Sequence, residues 1–166
     1  MGAEAGGEED FDSFFLRTLP RIERLTARIL GRDPRAEDVA VEALARAYAH
    51  WSSVGHMDKR DAWVFRVATN LALDVVRRRR PEAAPLNRSG PVDDEVALRL
   101  AAVAALRHLT RRQQEVVVLR YIADLSELEV GLALRMSQGT VKSHLHRAMP
   151  KLRHELGESF VRSPVP

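Results

Sequence analysis

The sequence predicts an all-α protein: two small helical domains joined by a Pro/Gly-rich linker, the second a helix-turn-helix. Three observations predict it. Ala, Leu, Val and Arg dominate while aromatics make up only 5%, a composition that favours helices over sheets. The segment Pro81-Glu82-Ala83-Ala84-Pro85-Leu86-Asn87-Arg88-Ser89-Gly90-Pro91 carries three prolines and a glycine without periodicity, which is a linker signature. Residues 126–148 read as two short helices with a tight connection. The expected organisation is a first domain over 1–80, a linker over 81–93, a second domain over 94–157 and a tail over 158–166.

The first domain reads as three helices. The first covers Phe11 to Leu30, with Phe11, Phe14, Phe15, Leu19, Ile22, Leu25 and Ile29 as its apolar set. Pro20 is expected to bend it or delay its start. Gly31-Arg32-Asp33-Pro34 breaks the chain, and Pro34 suits the first turn of the next helix. That helix runs to about Trp51, with Val39, Ala43, Leu44, Ala47 and Tyr48 inward. The third runs from about Asp58 to Arg80, where Trp63, Val67, Leu71 and Val75 recur every four residues.

The second domain opens with an Ala-rich helix from Asp94 to His108. Thr110-Arg111-Arg112-Gln113 fits a capping box and starts a helix through Val116, Val117, Leu119 and Tyr121. Ser126-Glu127-Leu128-Glu129 fits a second capping box, with Leu125, Leu128, Leu132 and Leu134 as the buried side of its helix. Ser137 is the N-cap expected for the last helix, in which Val141, Leu145 and Ala148 form a narrow apolar stripe. Thr140, Lys142, Ser143, His144, His146 and Arg147 fall on its other faces. These are side chains able to touch phosphates and base edges in a major groove. Pro150 is expected to kink or end this helix.

Charge and composition exclude several classes. Net charge is +3, with 14 Lys and Arg against 13 Asp and Glu in residues 1–80, and 10 against 6 in residues 95–157. The second domain is the more basic, as a phosphate-facing surface requires. Cysteine is absent, so there is no disulfide and no thiolate zinc site. His144 and His146, two apart, point to different faces of a helix and build no metal site. No paired carboxylates with a nucleophile and no phosphate-binding glycine loop occur. The expectation is no catalytic residue, no cofactor and no enzyme. No apolar run reaches the ~18 residues a membrane span needs, and the acidic, Gly-rich Met1–Asp10 is unlike a signal peptide, so a cytoplasmic protein is expected.

Three passages together resemble the sigma-70 superfamily, and most the extracytoplasmic-function (group four) sigma factors of bacterial RNA polymerase. The first is the acidic Pro34-Arg35-Ala36-Glu37-Asp38-Val39-Ala40-Val41-Glu42-Ala43-Leu44. The second is Ala62-Trp63-Val64-Phe65-Arg66-Val67-Ala68-Thr69-Asn70-Leu71-Ala72-Leu73-Asp74-Val75-Val76-Arg77-Arg78, similar to the family's Trp-Leu…Ala-x-Asn…Asp-x-x-Arg-Arg pattern. The third is Gly139-Thr140-Val141-Lys142-Ser143 through Arg147-Ala148. The resemblance spans about Phe11 to Leu156. It implies a region-two domain that binds core RNA polymerase and melts the minus-ten element, and a region-four domain that reads the minus-thirty-five element. It implies no cofactor.

On this resemblance Asp38 and Glu42 are the polymerase-docking carboxylates, although acidic residues are favoured near a helix N-terminus in any case. Val41 stands where the family usually has Gln. Trp63, Arg66, Asn70, Arg77 and Arg78 are the minus-ten candidates, with Ser52-Ser53-Val54-Gly55-His56-Met57 the loop for a captured base. Core packing competes with base stacking for Trp63, and a core hydrogen bond with base contact for Asn70. Arg77-Arg78-Arg79-Arg80 also suits the cationic end of a helix. Thr140, Lys142, Ser143, His144, His146 and Arg147 are the minus-thirty-five candidates. His144 replaces a frequent Arg and cannot fork onto a guanine. Arg135 replaces a frequent Gly at the turn, and Gly131 a usual Ala. Partners implied are core RNA polymerase, promoter DNA and an anti-sigma factor. The alternatives are a sigma-like DNA-binding regulator that no longer initiates, and a protein-interaction module bound to an anti-sigma factor.

Overall fold

The computed structural model describes residues 9–78 and 94–157, and every regular element among them is helical. The linker, Arg79, Arg80 and the tail lie outside the described residues. Helix α1 spans Phe11–Leu30, α2 Arg35–Ala49, α3 Trp51–Val54 and α4 Arg60–Arg78. Helix α5 spans Asp94–Leu106 and α6 Arg111–Val117, and a wider π-turn follows at Val118–Ile122. Helix α7 spans Glu127–Leu134 and α8 Gln138–Leu156.

Helices α1, α2 and α4 pack on one another around Phe14, Ile22, Leu25, Ile29, Leu44, Phe65 and Leu73. Asp10 caps α1, accepting the Ser13 backbone N–H at 2.8 Å. The helix continues through Pro20. Pro20 and Leu16 are exposed, so the carbonyl that the proline leaves without an N–H lies on the solvent side. Helix α2 ends two residues earlier than the sequence suggests. His50 breaks it, and Trp51 starts the short α3. Tyr48, expected inward, is 67% exposed; its ring packs on the surface against Phe11, centroids 4.8 Å apart. Ala62, Phe65, Ala68, Ala72 and Val76 form a buried stripe along α4. Trp63, Val67, Leu71 and Val75 pack beside it, partly buried. A strict four-residue repeat outruns the 3.6-residue turn, so that row winds away from the core axis.

An ion network ties α1 to the start of α4. Arg17 donates to Asp61 at 2.8 and 3.0 Å and to Glu9 at 3.0 Å, and Arg21 reaches Asp61 at 2.6 Å. Burial pushes the Asp61 carboxyl up, but the Arg17 hydrogen bonds and the Arg17 and Arg21 charges outweigh it and hold it below its ordinary 3.8. The Arg17 hydrogen bond likewise holds Glu9 below 4.5. Both groups are depressed in the fold, so their stabilisation is complete above those ordinary values and is lost as pH falls through the folded ones. Acid unfolding monitored by circular dichroism should therefore begin below about pH 4.5. Asp61→Asn should lower stability at pH 7 by about 1–2 kcal/mol, since these ion pairs stay partly solvated, and should flatten the acid limb. Acid limbs that coincide for variant and wild type would refute this assignment.

In the second half, Thr110 caps α6 and Ser126 caps α7, each in a reciprocal capping box. Helix α6 does not run on as an α-helix to Tyr121. It widens into the π-turn, closed by Ala123 N–H to Val118 C=O at 3.0 Å, and Asp124 follows at φ 55°. Leu128 and Leu132, expected to be buried, are 59% and 50% exposed. Val130, Ala133 and Leu134 fill the interior instead, with Leu125. Helix α8 continues past Pro150, which is exposed. Arg135 adopts the left-handed conformation at φ 54°, ψ 50°. A side chain there costs roughly 1–2 kcal/mol, so Arg135→Gly should raise stability by about 1 kcal/mol in denaturant melts; a fall would refute the strain.

Candidate nucleic-acid and polymerase interfaces

The acidic face of α2 is built by its start. The Asp33 carboxylate accepts the Arg35 backbone N–H at 2.9 Å, closing the first turn one residue ahead of the helix proper. Val39, Ala40, Ala43, Leu44 and Ala47 point inward, which leaves Glu37, Asp38, Val41 and Glu42 exposed together. Val41 is 51% exposed, an aliphatic side chain among carboxylates. Glu42 pairs with Arg46 at 2.8 Å, an exposed i,i+4 contact that restrains it weakly.

The segment expected to be a base-capturing loop, residues 52–57, is more ordered than a loop. Residues 51–54 form the turn α3, and Gly55 tucks under Trp51. A Cβ at Gly55 would lie 2.8 Å from the Trp51 carbonyl oxygen and 3.0 Å from its ring. Arg60 donates to the Gly55 carbonyl at 2.6 Å. The Trp51 ring stacks edge-on to Phe11 at 5.2 Å. Sequence periodicity carried no signal for this aromatic cluster, because its members come from three elements.

On α4, Trp63, Arg66, Asn70 and Arg77 share one long face with Asp74. Trp63 is half-buried, its ring 6.5 Å from that of His50. Arg66 Nε and Asn70 Oδ1 are buried without a hydrogen-bond partner. Burial pushes the Arg66 guanidinium below its ordinary pKa, and the neighbouring Arg135 charge adds to this. Arg78 is exposed. Helix α4 meets α6, α7 and the π-turn of the second half, while Arg77 near its end is exposed.

Helices α7 and α8 are joined by Arg135, Met136 and Ser137. Met136 N–H bonds the Gly131 carbonyl at 2.9 Å, and Ser137 caps α8 through the Thr140 N–H at 3.1 Å. Val141, Leu145 and Ala148 are buried, so the expected stripe packs inward. Thr140, Lys142, Ser143, His146 and Arg147 are exposed, and His144 is half-buried. The outer face already has internal order. The Ser143 hydroxyl donates to Gly139 C=O at 3.0 Å, which leaves its oxygen as an acceptor. Lys142 lies 3.7 Å from Glu127 of the supporting helix, a partly exposed pair that restrains the ammonium only weakly. No cluster of His, Asp or Glu suited to a metal occurs among the described residues, and no helix there is long and apolar enough to cross a membrane.

Known proteins match this arrangement in order. Residues 14–82 match the sigma-70 region 2 family, and residues 105–154 match sigma-70, region 4. The chain is 34% identical over 155 residues to the ECF RNA polymerase sigma factor SigW of Bacillus subtilis (strain 168), covering 82% of this chain and 83% of that protein. It is 38% identical over 148 residues to the RNA polymerase sigma-E factor of Streptomyces coelicolor, covering 86% and 84%. Among solved structures, CnrH in complex with the cytosolic domain of CnrY aligns with a TM-score of 0.62 at 25% identity, over 93% of this chain and 92% of that one. The sigma factor RpoE bound to the anti-sigma factor NepR of Bartonella quintana shares the fold, with a TM-score of 0.60 at 23% identity over 89% and 96%. Both region matches, in order along the chain, together with relatives 34% and 38% identical over more than four fifths of it, place the chain in the sigma-70 family as an extracytoplasmic-function sigma factor.

Proposed function

We propose that this sigma factor binds core RNA polymerase through Asp38 and Glu42 and directs promoter-specific initiation in the cytoplasm. Residues 1–80 act on the polymerase and the minus-ten element, through Trp63, Arg66, Asn70, Arg77 and Arg78. Residues 94–157 read the minus-thirty-five element through Thr140, Lys142, Ser143, His144, His146 and Arg147, with 81–93 as the connecting linker. The observation that carries this reading is the outer face of α8. Its apolar stripe is buried while hydroxyl, ammonium, imidazole and guanidinium groups stand exposed on one helix, the donor set that backbone and base-edge recognition requires.

The chain supplies positioning, and the polymerase supplies the phosphoryl transfer; no enzymatic role is proposed. The sigma factor RpoE solved in complex with the anti-sigma factor NepR supports an anti-sigma factor as a further partner. The decisive experiment mixes purified protein, core polymerase and genomic DNA fragments, and maps transcript starts. Discrete starts that share two upstream elements are expected. Stable polymerase binding with no starts would favour a regulator that no longer initiates. On the mapped promoter, Lys142→Ala and Arg147→Ala should each weaken minus-thirty-five binding by about 1–3 kcal/mol. Unaltered occupancy in both variants would remove the recognition role of α8.

A further inference from the structure

Glu127 opens α7 and Gln138 opens α8, and the two side chains meet across the turn. The Gln138 amide donates from Nε2 to Glu127 Oε2 at 3.1 Å. The same carboxylate oxygen lies 3.7 Å from the Lys142 ammonium, one turn further along α8. Gln138 is exposed and Glu127 is half-buried. Among the described residues, no other side-chain hydrogen bond holds Gln138.

The polar side chains at the start of α8 differ in what they have left to offer. Ser137 Oγ takes the Thr140 N–H at 3.1 Å and shares a 2.9 Å bond with the Thr140 hydroxyl, so both are committed to the cap. Ser143 donates its hydroxyl to Gly139 and keeps only acceptor capacity. Lys142 offers donors alone. Gln138 is the one side chain of α8 with a planar amide, a donor beside an acceptor. Its bond to Glu127 decides how that amide is turned. A carboxylate attracts N–H and repels the amide oxygen, so it takes the N–H that points away from Oε1. The second N–H and Oε1 are left side by side on the free edge.

We propose that Gln138 reads an adenine in the minus-thirty-five element, and that Glu127 is the positioning residue that holds its amide in the adenine-reading orientation. This deepens the reading of α8 given above and rests on it. In the major groove adenine presents an acceptor at N7 beside a donor at N6, the complement of the free amide edge. Guanine presents two acceptors, so Oε1 would oppose its O6. The N-terminal residues of a recognition helix are those that reach base edges, and Gln138 is the first residue of α8. An amide free to turn could present its donor or its acceptor to a base. Here a flipped amide would set Oε1 against the Glu127 carboxylate, so the bond makes a tolerant side chain selective before DNA arrives. The helix dipole favours an acid in the first turn of α7, but that accounts for the charge and not for the bond to α8. Lys142 beside the carboxylate offsets a negative charge that phosphate would otherwise repel.

The test uses holoenzyme assembled from the full chain and core polymerase, on the mapped promoter with each minus-thirty-five base pair replaced in turn. Wild type should prefer adenine at one position, with guanine there bound about five- to 150-fold more weakly. Gln138→Ala should bind adenine and guanine at that position equally and leave the preferences at every other position as in wild type. Gln138→Arg should move the preference to guanine, because a guanidinium gives two donors to O6 and N7 and can still pair with Glu127. Glu127→Ala should cut the adenine-to-guanine ratio at the same position by about three- to tenfold. A purely structural Glu127 would instead weaken binding to all sequences together and leave that ratio alone. A minus-thirty-five element without an adenine preference, or one whose adenine preference survives Gln138→Ala, would overturn the assignment of Gln138. An unchanged ratio in Glu127→Ala would overturn the positioning role. If Lys142→Ala and Arg147→Ala weaken promoter binding while Gln138→Ala alters no preference, this assignment falls and the reading of α8 stands. If none of the three variants alters promoter binding, the reading of α8 falls and the assignment with it.

Discussion

Reversing both carboxylates, Asp38→Arg with Glu42→Arg, is expected to lower affinity for core polymerase by about 2–4 kcal/mol, roughly 30- to 1,000-fold. Both residues stand exposed on α2 with Val41 between them, and their turns are held from the other side by Val39, Ala43 and Leu44. The fold has little at stake there. Losing Asp38 from the first turn forfeits a favourable dipole interaction of about 0.3–1 kcal/mol, and the exposed Glu42–Arg46 pair is worth less. A basic partner surface would instead meet two like charges, which is the larger effect. The check is a competition titration of labelled protein on core polymerase at two salt concentrations, with thermal melts alongside. Binding within twofold of wild type, at an unchanged melting temperature, would move the docking face elsewhere.

Local signals were legible in the sequence, and relations across the chain were not. The caps at Thr110, Ser126 and Ser137 each depend on a side chain and an N–H three residues away, so the sequence window contains the whole interaction. The left-handed Arg135 and the tight Gly131 could likewise be anticipated at a helix end. Tyr48, Leu128 and Leu132 were misassigned because periodicity reports which residues share a face, not which face has a partner. The seam between the halves was invisible. No local signal marks Arg28, Arg107 or Arg111, because their acceptors lie 94, 31 and 37 residues away. The same limit hid the surroundings of α4's polar face: Asn70 belongs to the family pattern and Arg66 stands beside it, but that Arg66 lies near Arg112, Glu115 and Arg135 of the second half could not be read locally.

Gly131→Val should be the most damaging single change in the second half, at about 3 kcal/mol, or roughly 6–12 °C in melting temperature. A Cβ at this position would stand 2.7 Å from the Met136 carbonyl oxygen, closer than a carbon and a backbone oxygen can approach. That oxygen cannot give way. Met136 is held through its N–H to the Gly131 carbonyl at 2.9 Å, and the turn is fixed by Arg135 in the left-handed region. The strain must therefore appear as a change in the angle between α7 and α8, which sets where Lys142 and Arg147 stand. Binding to minus-thirty-five duplex should fall at least tenfold, while polymerase affinity through the α2 face is retained. Gly139→Ala is the control. Its Cβ would meet only the Ser137 hydroxyl at 3.8 Å, an ordinary contact, so near the start of α8 it should be neutral or stabilising by up to about 1 kcal/mol. The pair separates crowding at the turn from a general intolerance of side chains at glycine. If Gly131→Val melts with the wild type, the α7–α8 turn is not the rigid joint that the packing at Met136 implies.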